Sequence, residues 1–448
     1  MFQRKRRISI PEAVKQICHK LNEHGYQAYI VGGAVRDALL ELNPTDWDIT
    51  TDALPDRVRQ IFPKNIPSGQ RFGTITVVSD NLLVDVTTMR REALYSNQRH
   101  PDYVKFCNDI EQDLSRRDFT INAVAYNPLT NQFIDPFGGI TDLRRKRIRT
   151  VGNAKLRFSE DALRMLRLIR FSAVLNFKPE TQTIAAIQPK LLIKIASERI
   201  KDELSKLLVA DKIVKPLQLM YTSGIMEQIL PELAHAANIS QGAYHRWDVL
   251  GHLIMTAQSV KPDLNLRLAA LFHDIGKSET RIRDESGIHF YGHDKIGAVM
   301  THSILTRLTF SKRIQDKVSL LIKHHMFQIH PNSTDKAIRR FIAKVGTDNI
   351  YDLLELRKAD IMAMKYHPRQ TLNYYRLMRK RIDEILAENH AFTRKDLAVS
   401  GSDLINELNL TPGPQIGQIL KYLLDIVIEQ PKINNYTELI ERARKYIN

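Results

Sequence analysis

At 448 residues, 43% hydrophobic and 26% charged, the chain can bury a substantial core in about two to four domains. Its 66 Lys and Arg against 50 Asp and Glu leave a net charge of +16, which favours a polyanionic partner, nucleic acid being the commonest. Two cysteines, Cys18 and Cys107, exclude a disulfide framework and a cysteine-only zinc site, and no apolar run is long enough to span a bilayer. The basic start MFQRKRRISI runs into EAVKQICHKL rather than an apolar core segment, so it is not a secretory signal, and a cytoplasmic protein is expected.

In chain order, Pro11–His24 has amphipathic helical spacing, and Gln27–Val31 reads as a strand. The stretch YIVGGAVRDALLELNPTDWD (Tyr29–Asp48) then gives strand, Gly32-Gly33 turn, a helix over Ala34–Leu42, and two carboxylates two residues apart. Positions i and i+2 of a strand share a face, so Asp46 and Asp48 would sit side by side and repel unless a cation lies between them. Hard oxygen ligands suit Mg²⁺. The diglycine lets a backbone approach a bulky group, and its N–H groups could cradle phosphate. D-x-D alone would equally fit a turn or helix cap after Pro44; the glycine motif ahead of it favours a metal-dependent nucleotidyl-transfer site.

Asp52–Phe62 reads as a helix, and Phe72–Val78 with Leu82–Thr87 as a hairpin around Ser-Asp-Asn. Asp85 lies in the second strand and is the candidate third carboxylate of a two-metal site. Arg90–Phe106 is polar and aromatic without clear period and reads as a loop. From about Leu156 the pattern is helical to the end, with prolines punctuating successive helices. In RFSEDALRMLRLIRF, Ser159 could cap a helix over Glu160–Arg170, placing Asp161 and Arg164 three apart on one face, with Arg157 and Arg167 extending its basic side.

VGGAVRD, DWDITTDA, RRDFTINAVAYN and RFSEDALRMLRLIRF, in this order, resemble the class II tRNA nucleotidyltransferase and bacterial poly(A) polymerase family, of the DNA polymerase β superfamily. The resemblance implies an α+β fold, with a small mixed-sheet nucleotidyltransferase head, a helical neck, body and tail. It implies tRNA as partner, CTP and ATP as substrates, and Mg²⁺ in the head. Gly32 and Gly33 would contact triphosphate, Arg36 and Asp37 would organise the site, and Asp46 and Asp48 would hold the metals. Asp118 and Asn122 would meet the sugar, with Arg117 near phosphate. Cytosine and adenine each present an amine donor beside a ring-nitrogen acceptor, which an Asp–Arg pair complements; uracil and guanine present a carbonyl instead. Asp161 and Arg164 would therefore admit CTP and ATP and reject UTP and GTP.

TTMRREALYSNQRHPDYVKF resembles the family's flexible loop, which helps the switch from C to A addition; Arg90, Glu92, Arg99 and Asp102 are its polar candidates. Its apparent full length argues against an enzyme adding only CC. SERIKDELSKLL (Ser197–Leu208) resembles the last family motif, a support for the nucleotide helix.

Farther on, WDVLGHLIM, ALFHDIGK, YGHDKIGA, LIKHH and RKADIMA resemble the HD phosphohydrolase superfamily. His252, His273, Asp274 and Asp360 would hold one divalent metal. His293, with His324 or His325 and His324 taken as the candidate, would add a second metal or touch phosphate. Residues 1–150 are thus expected as head, 151–235 as neck, 236–380 as HD domain and 381–448 as a tRNA-binding tail. In that tail TPGPQIG leads into a helix whose N-terminus could meet phosphate, and upstream Arg376, Arg379, Lys380 and Arg381 could follow an RNA backbone. The expected activity is CCA addition. An A-adding enzyme, a poly(A) polymerase, or an HD phosphohydrolase with an RNA-positioning head are the alternatives.

Overall fold

The computed structural model describes residues 8–92, 104–242, 246–285, 287–364, 369–388 and 391–447. Two compact units divide the chain between Ile229 and Leu230. The N-terminal unit is built on a seven-stranded mixed sheet, and the C-terminal unit is helical save for one hairpin.

The strands that position the site are β1 (Ala28–Val31), β2 (Trp47–Thr51), β3 (Asn65–Gly69), β4 (Thr74–Ser79), β5 (Leu82–Thr88), β6 (Arg90–Glu92), β7 (Val104–Phe106), β8 (Ala125–Asn127) and β9 (Gln132–Ile134). The large sheet runs β3-β4-β5-β2-β1-β8-β9. Within it β2 and β5 are parallel and the other neighbours antiparallel. The expected hairpin is β4–β5: Asp80 and Asn81 both take positive φ, 45° and 63°, as a two-residue turn between right-twisted strands requires. One face of the sheet is covered by the helices Glu12–Glu23 and Pro55–Ile61, whose Val14, Ile17, Leu21 and Val58 pack on Ile30, Ile49, Ile75 and Val86. That leaves the opposite face, to which Asp48 and Asp85 turn in alternation with the buried Ile49, Val84 and Val86, for chemistry.

Three expectations are corrected. The Arg90–Phe106 segment is not all loop, because its described ends pair as β6 and β7; Arg99 and Asp102 lie outside the described residues. Helix Glu160–Arg170 is broken: one helix spans Ala154–Glu160, Asp161 is extended at φ −141°, ψ 102°, and a second helix spans Leu163–Val174. Asn153 rather than Ser159 caps the first, its side chain accepting from Leu156 N, while Ser159 Oγ donates to Leu156 O. The body is also not wholly helical, since Arg281–Asp284 and Gly287–Phe290 pair as an antiparallel hairpin.

In the C-terminal unit the helices Val249–Ser259, Leu264–Phe272, His293–Arg307, Lys312–His324 and Ile350–Met362 pack together, and their buried faces are the apolar positions of each helical stripe. The last helices, among them Gly401–Leu408, Pro414–Glu429 and Tyr436–Ile447, share a separate small core around Leu404, Leu423 and Leu439. Ile419 and Leu423 are buried there, with Leu420 and Leu424 partly buried against them.

Gly139 is the tightest glycine of the N-terminal unit: a Cβ there would stand 2.1 Å from the Thr120 carbonyl oxygen and 2.7 Å from Val124. Since backbone must move to admit a methyl, Gly139→Ala should cost on the order of 3 kcal/mol, read as a lower denaturant midpoint at unchanged m-value.

Candidate active site

The sheet register builds the head of the site. Val31 of β1 pairs with Asp48 of β2, and Asp48 pairs with Asp85 of the parallel β5. Gly32, directly after β1, is therefore delivered beside the Asp48 carboxylate. It sits at φ 75°, where an L side chain is strained, and an added Cβ would come within 3.1 Å of Arg117 Nη1 and 3.3 Å of Asp48 Oδ2. Only glycine leaves that space open. Arg117 is held from behind by the buried Asp113, which accepts from Arg116 Nε at 2.9 Å and faces Arg117 Nη2 at 3.5 Å.

Next to this head stands the helix Leu163–Val174. Asp118 Oδ1 accepts from Phe119 N at 2.7 Å and Asn122 Nδ2 at 3.0 Å, while Oδ2 accepts from Arg167 Nε at 2.8 Å. Burial opposes the charge on Asp118, but Arg167 and these hydrogen bonds outweigh it and hold the carboxyl down at about 2. Arg36 grips Asp37 with two bonds and donates to Asn122 Oδ1 at 2.8 Å. Phe171 lies under the guanidinium groups of Arg36, Arg167 and Arg170, at 5.2, 5.5 and 4.0 Å from its ring centre.

These groups line a cavity of about 400 Å³ that gathers Gly32, Gly33, Arg36, Asp48, Arg117, Asp118, Asn122, Asp161, Arg164 and Arg167. Ten of the residues singled out from the sequence are thus brought together in one place. Arg157 is not part of the lining; it pairs with Glu160 at 3.1 Å, and its carbonyl accepts from Arg164. Asp46, just ahead of β2, and Asp85, in the middle of β5, are also off the lining and exposed, with Asp85 accepting from Thr76 Oγ1 at 2.6 Å. Asp161 and Arg164 do not pair with one another. Asp161 Oδ2 accepts from Arg199 Nη2 at 2.9 Å, and Arg164 donates to Glu160 Oε2 at 2.6 Å and to Arg116 O at 3.0 Å. Arg116, which with Arg117 reads from the sequence as a phosphate contact, also lines the wall, and Leu163, Arg170, Phe171 and Arg199, which were not assigned roles from sequence, complete it. Seven arginines thus face three aspartates, a balance suited to a polyphosphate.

The head carboxylates fit a hard divalent cation. Burial raises the Asp48 carboxyl first; Arg117 opposes this, and the neighbouring Asp85 and Asp46 raise it further. Like charges accumulate there, and a cation would relieve them. Among the described residues, however, the ligand atoms of Asp46, Asp48 and Asp85 are not gathered within 4.8 Å of one another.

The C-terminal unit gathers its histidines more closely. His252, His273, Asp274 and Asp360 form one group with ligand atoms within 4.8 Å, and Asp274, His293 and His325 form a second that shares Asp274. His293 Nε2 lies 3.2 Å and His325 Nε2 3.5 Å from Asp274 Oδ1, and His252 Nε2 lies 3.0 Å from Asp360 Oδ1. His324, the candidate ligand, is not in either group: it faces a different pocket with Lys323, Phe341 and Lys344, and its neighbour His325 turns inward. Nδ1 of His273, His293 and His325 meets the carbonyls of Ala270, Phe290 and Ile322, which makes Nδ1 the donor and aims Nε2 at the carboxylates. The Nε2 atoms of all three are buried without a hydrogen-bond partner. Inward imidazole nitrogens, outer carbonyl supports and shared carboxylate fit a divalent metal. On the outer side, Lys277 Nζ bonds Asp274 Oδ2 at 2.6 Å and Arg357 Nη1 bonds Asp360 Oδ2 at 2.6 Å.

Three family profiles match the chain: "Poly A polymerase head domain" at residues 28–149, "Probable RNA and SrmB- binding site of polymerase A" at 176–237, and "tRNA nucleotidyltransferase domain 2 putative" at 293–443. The CCA-adding enzyme of Lactococcus lactis subsp. cremoris is 30% identical, with 98% of each chain covered. That of Bacillus cytotoxicus is 33% identical over 95% of each. The chain belongs to the CCA-adding enzyme family. The solved Bacillus stearothermophilus CCA-adding enzyme in complex with CTP superposes with a TM-score of 0.72 at 28% identity, covering 98% of this chain and 99% of that one. The Thermotoga maritima CCA-adding enzyme complexed with tRNA shares the fold, with a TM-score of 0.54 at 19% identity and coverage of 97% and 95%.

In this CCA-adding enzyme family member the Asp118–Arg167 pair has a consequence for stability. The depressed carboxyl adds folding stability above its unfolded range near 3.8, and the contribution disappears as pH falls through about 2. The shift corresponds to about 2 kcal/mol. Asp118→Asn should lose that increment at neutral pH, and its thermal midpoint should fall less steeply than wild type between pH 4 and pH 2.

Proposed function

We propose that this chain adds CCA, with CTP and ATP as substrates, to the 3′ end of tRNA without a template. The reading is carried by the meeting of Asp161 and Arg164 with Gly32, Gly33, Asp48, Arg117 and Asp118 around one cavity. The relatives named above, one holding CTP and one holding tRNA, support it. The finer organisation belongs to the same reading: head to residue 150, neck to 235, an HD domain to 380, and a tRNA-binding tail beyond. A cytoplasmic location fits it, and no described helix is long and apolar enough to cross a membrane.

In this mechanism the tRNA 3′-hydroxyl oxygen bonds the α-phosphorus of the nucleotide, the bridge to the β-phosphate breaks, and pyrophosphate leaves. Gly32 and Gly33 leave the main chain open to the triphosphate, and Arg117, fixed by Asp113, neutralises its charge. Asp118 and Asn122 hold the sugar, with Arg36 locking the amide of Asn122 in one orientation. Asp46, Asp48 and Asp85 would hold Mg²⁺, which supplies Lewis-acid stabilisation of the attacked phosphate and activation of the hydroxyl. Asp161 accepts from the exocyclic amine of cytosine or adenine, and Arg164 donates to the adjacent ring nitrogen.

Incubating tRNA that lacks CCA, and tRNA ending in CC, with labelled CTP or ATP should give C and A incorporation on the first and A on the second. Label on neither removes the nucleotidyltransferase reading, and A addition to the CC end alone promotes an A-adding enzyme. Untemplated A tracts on other RNAs promote a poly(A) polymerase. Replacing Asp46 and Asp48 with Ala should lower incorporation at least about 10³-fold.

The shared Asp274 and the inward Nε2 atoms favour a second activity: an HD-type, metal-dependent phosphohydrolase in the C-terminal unit. His252, His273, Asp274 and Asp360 would hold one divalent ion, and Asp274, His293 and His325 another. Asp274→Ala removes the carboxylate common to both groups, so metal content by elemental analysis should fall by most of the wild-type amount. Incorporation by the head should persist. Equal metal content in both proteins would sink this second reading.

A further inference from the structure

We infer that Arg199, on the helix Ser197–Leu208, is the positioning residue that makes the Asp161–Arg164 pair selective for one order of hydrogen-bonding groups; this rests on the nucleotide-addition reading. Cytosine and adenine present an amine donor and then a ring acceptor along the edge being read. Uracil and guanine present a carbonyl acceptor and then a ring N–H. The second order is the first reversed, so an aspartate and an arginine free to exchange places, or to slide by one position, would satisfy either order. One carboxylate and one guanidinium therefore do not by themselves exclude uracil. Selectivity requires that each be pinned.

The site supplies the two pins separately. Arg164 is fixed by Glu160 at 2.6 Å and by the carbonyls of Arg157 at 3.1 Å and Arg116 at 3.0 Å. Asp161 lies outside both flanking helices, and its carboxylate accepts one local bond, from Leu163 N to Oδ1 at 3.1 Å. That single bond leaves the carboxylate able to turn about it. Arg199 Nη2 reaches Oδ2 at 2.9 Å from an element 38 residues away, and this second bond fixes the plane of the carboxylate. Arg199 lines the same cavity, so the pin stands at the reading edge itself. With it removed, Asp161 can swing toward the guanidinium of Arg167, whose charge already feels it.

The test compares Arg199→Ala, Arg199→Gln and Arg199→Lys with wild type, measuring kcat and KM for CTP and UTP on tRNA lacking CCA and for ATP and GTP on tRNA ending in CC. The inference expects the CTP-to-UTP and ATP-to-GTP ratios of kcat/KM to fall at least about 10-fold in the Ala and Gln variants. The Lys variant, which keeps a cation and N–H donors but not the planar guanidinium, should recover part of the loss. A purely structural role would lower all four substrates together, and that parallel loss, or unchanged ratios in a variant that unfolds at the wild-type temperature, overturns the assignment. If only the Ala variant fails to fold, the Gln and Lys ratios decide. Wild-type protein that incorporates neither C nor A overturns the parent reading and this one with it; wild-type selectivity retained by the variants overturns Arg199 alone.

Discussion

The N-terminal unit depends on a part-buried chain of charge running Asp118, Arg167, Glu203, Arg170. Asp118 belongs to the turn after the arginine pair, Arg167 and Arg170 to the helix Leu163–Val174, and Glu203 to the helix Ser197–Leu208. Three elements far apart in sequence are thus tied through groups that are costly to bury singly and tolerable only when paired. Removing one member leaves the others uncompensated. The same chain holds the helix Leu163–Val174 against both the turn that carries Asp118 and the helix that carries Glu203.

Charge excess works at two scales. Over the whole chain the surplus of 16 positive charges draws a polyanion without choosing one. Inside the cavity the surplus is arranged: Asp113 aims Arg116 and Arg117, Asp37 grips Arg36, and Glu160 holds Arg164. Each acid there orients an arginine. Oriented cations cost no reorganisation when a triphosphate arrives, which is the form of electrostatic stabilisation that matters for phosphoryl transfer. The second centre uses another chemistry, with imidazole Nε2 atoms turned inward by the backbone carbonyls that hold Nδ1. The two units therefore favour different ligand types.

The strand–diglycine–helix–carboxylate order was legible because it is local: strand period, glycine conformation and i, i+2 geometry need no tertiary information. The β4–β5 hairpin was legible for the same reason, through Ser-Asp-Asn. Partners across the fold were not. Arg170, Phe171 and Arg199 gave no local sign of lining the cavity, because their direction is set by which face of their helices meets the sheet. Of the paired His324 and His325, helical phase turns one inward, and one register step decides which. The hairpin at Arg281–Phe290 was missed because its strands are short, polar and exposed at Arg281–Asp284, with no apolar alternation to reveal them. Arg99 and Asp102 lie outside the described residues.

The break at Asp161 shows why local rules failed at the most informative helix. A continuous helix would set Asp161 and Arg164 on one face at i, i+3, the spacing at which an acid and a base pair with each other. Such a pair would satisfy itself and offer a base little. Leaving the helix at Asp161 separates them: the carboxylate caps the next helix through Leu163 N and takes Arg199, and Arg164 takes Glu160 one turn back. Glu160 ends one helix and Arg164 lies in the next, so the acid that holds Arg164 comes from across the break. The interruption costs a turn of helix hydrogen bonding and keeps the acceptor and the donor from cancelling each other. A propensity-based reading cannot foresee the break, because the groups that hold the two side chains, Arg199 and the Arg116 carbonyl among them, come from elsewhere in the fold.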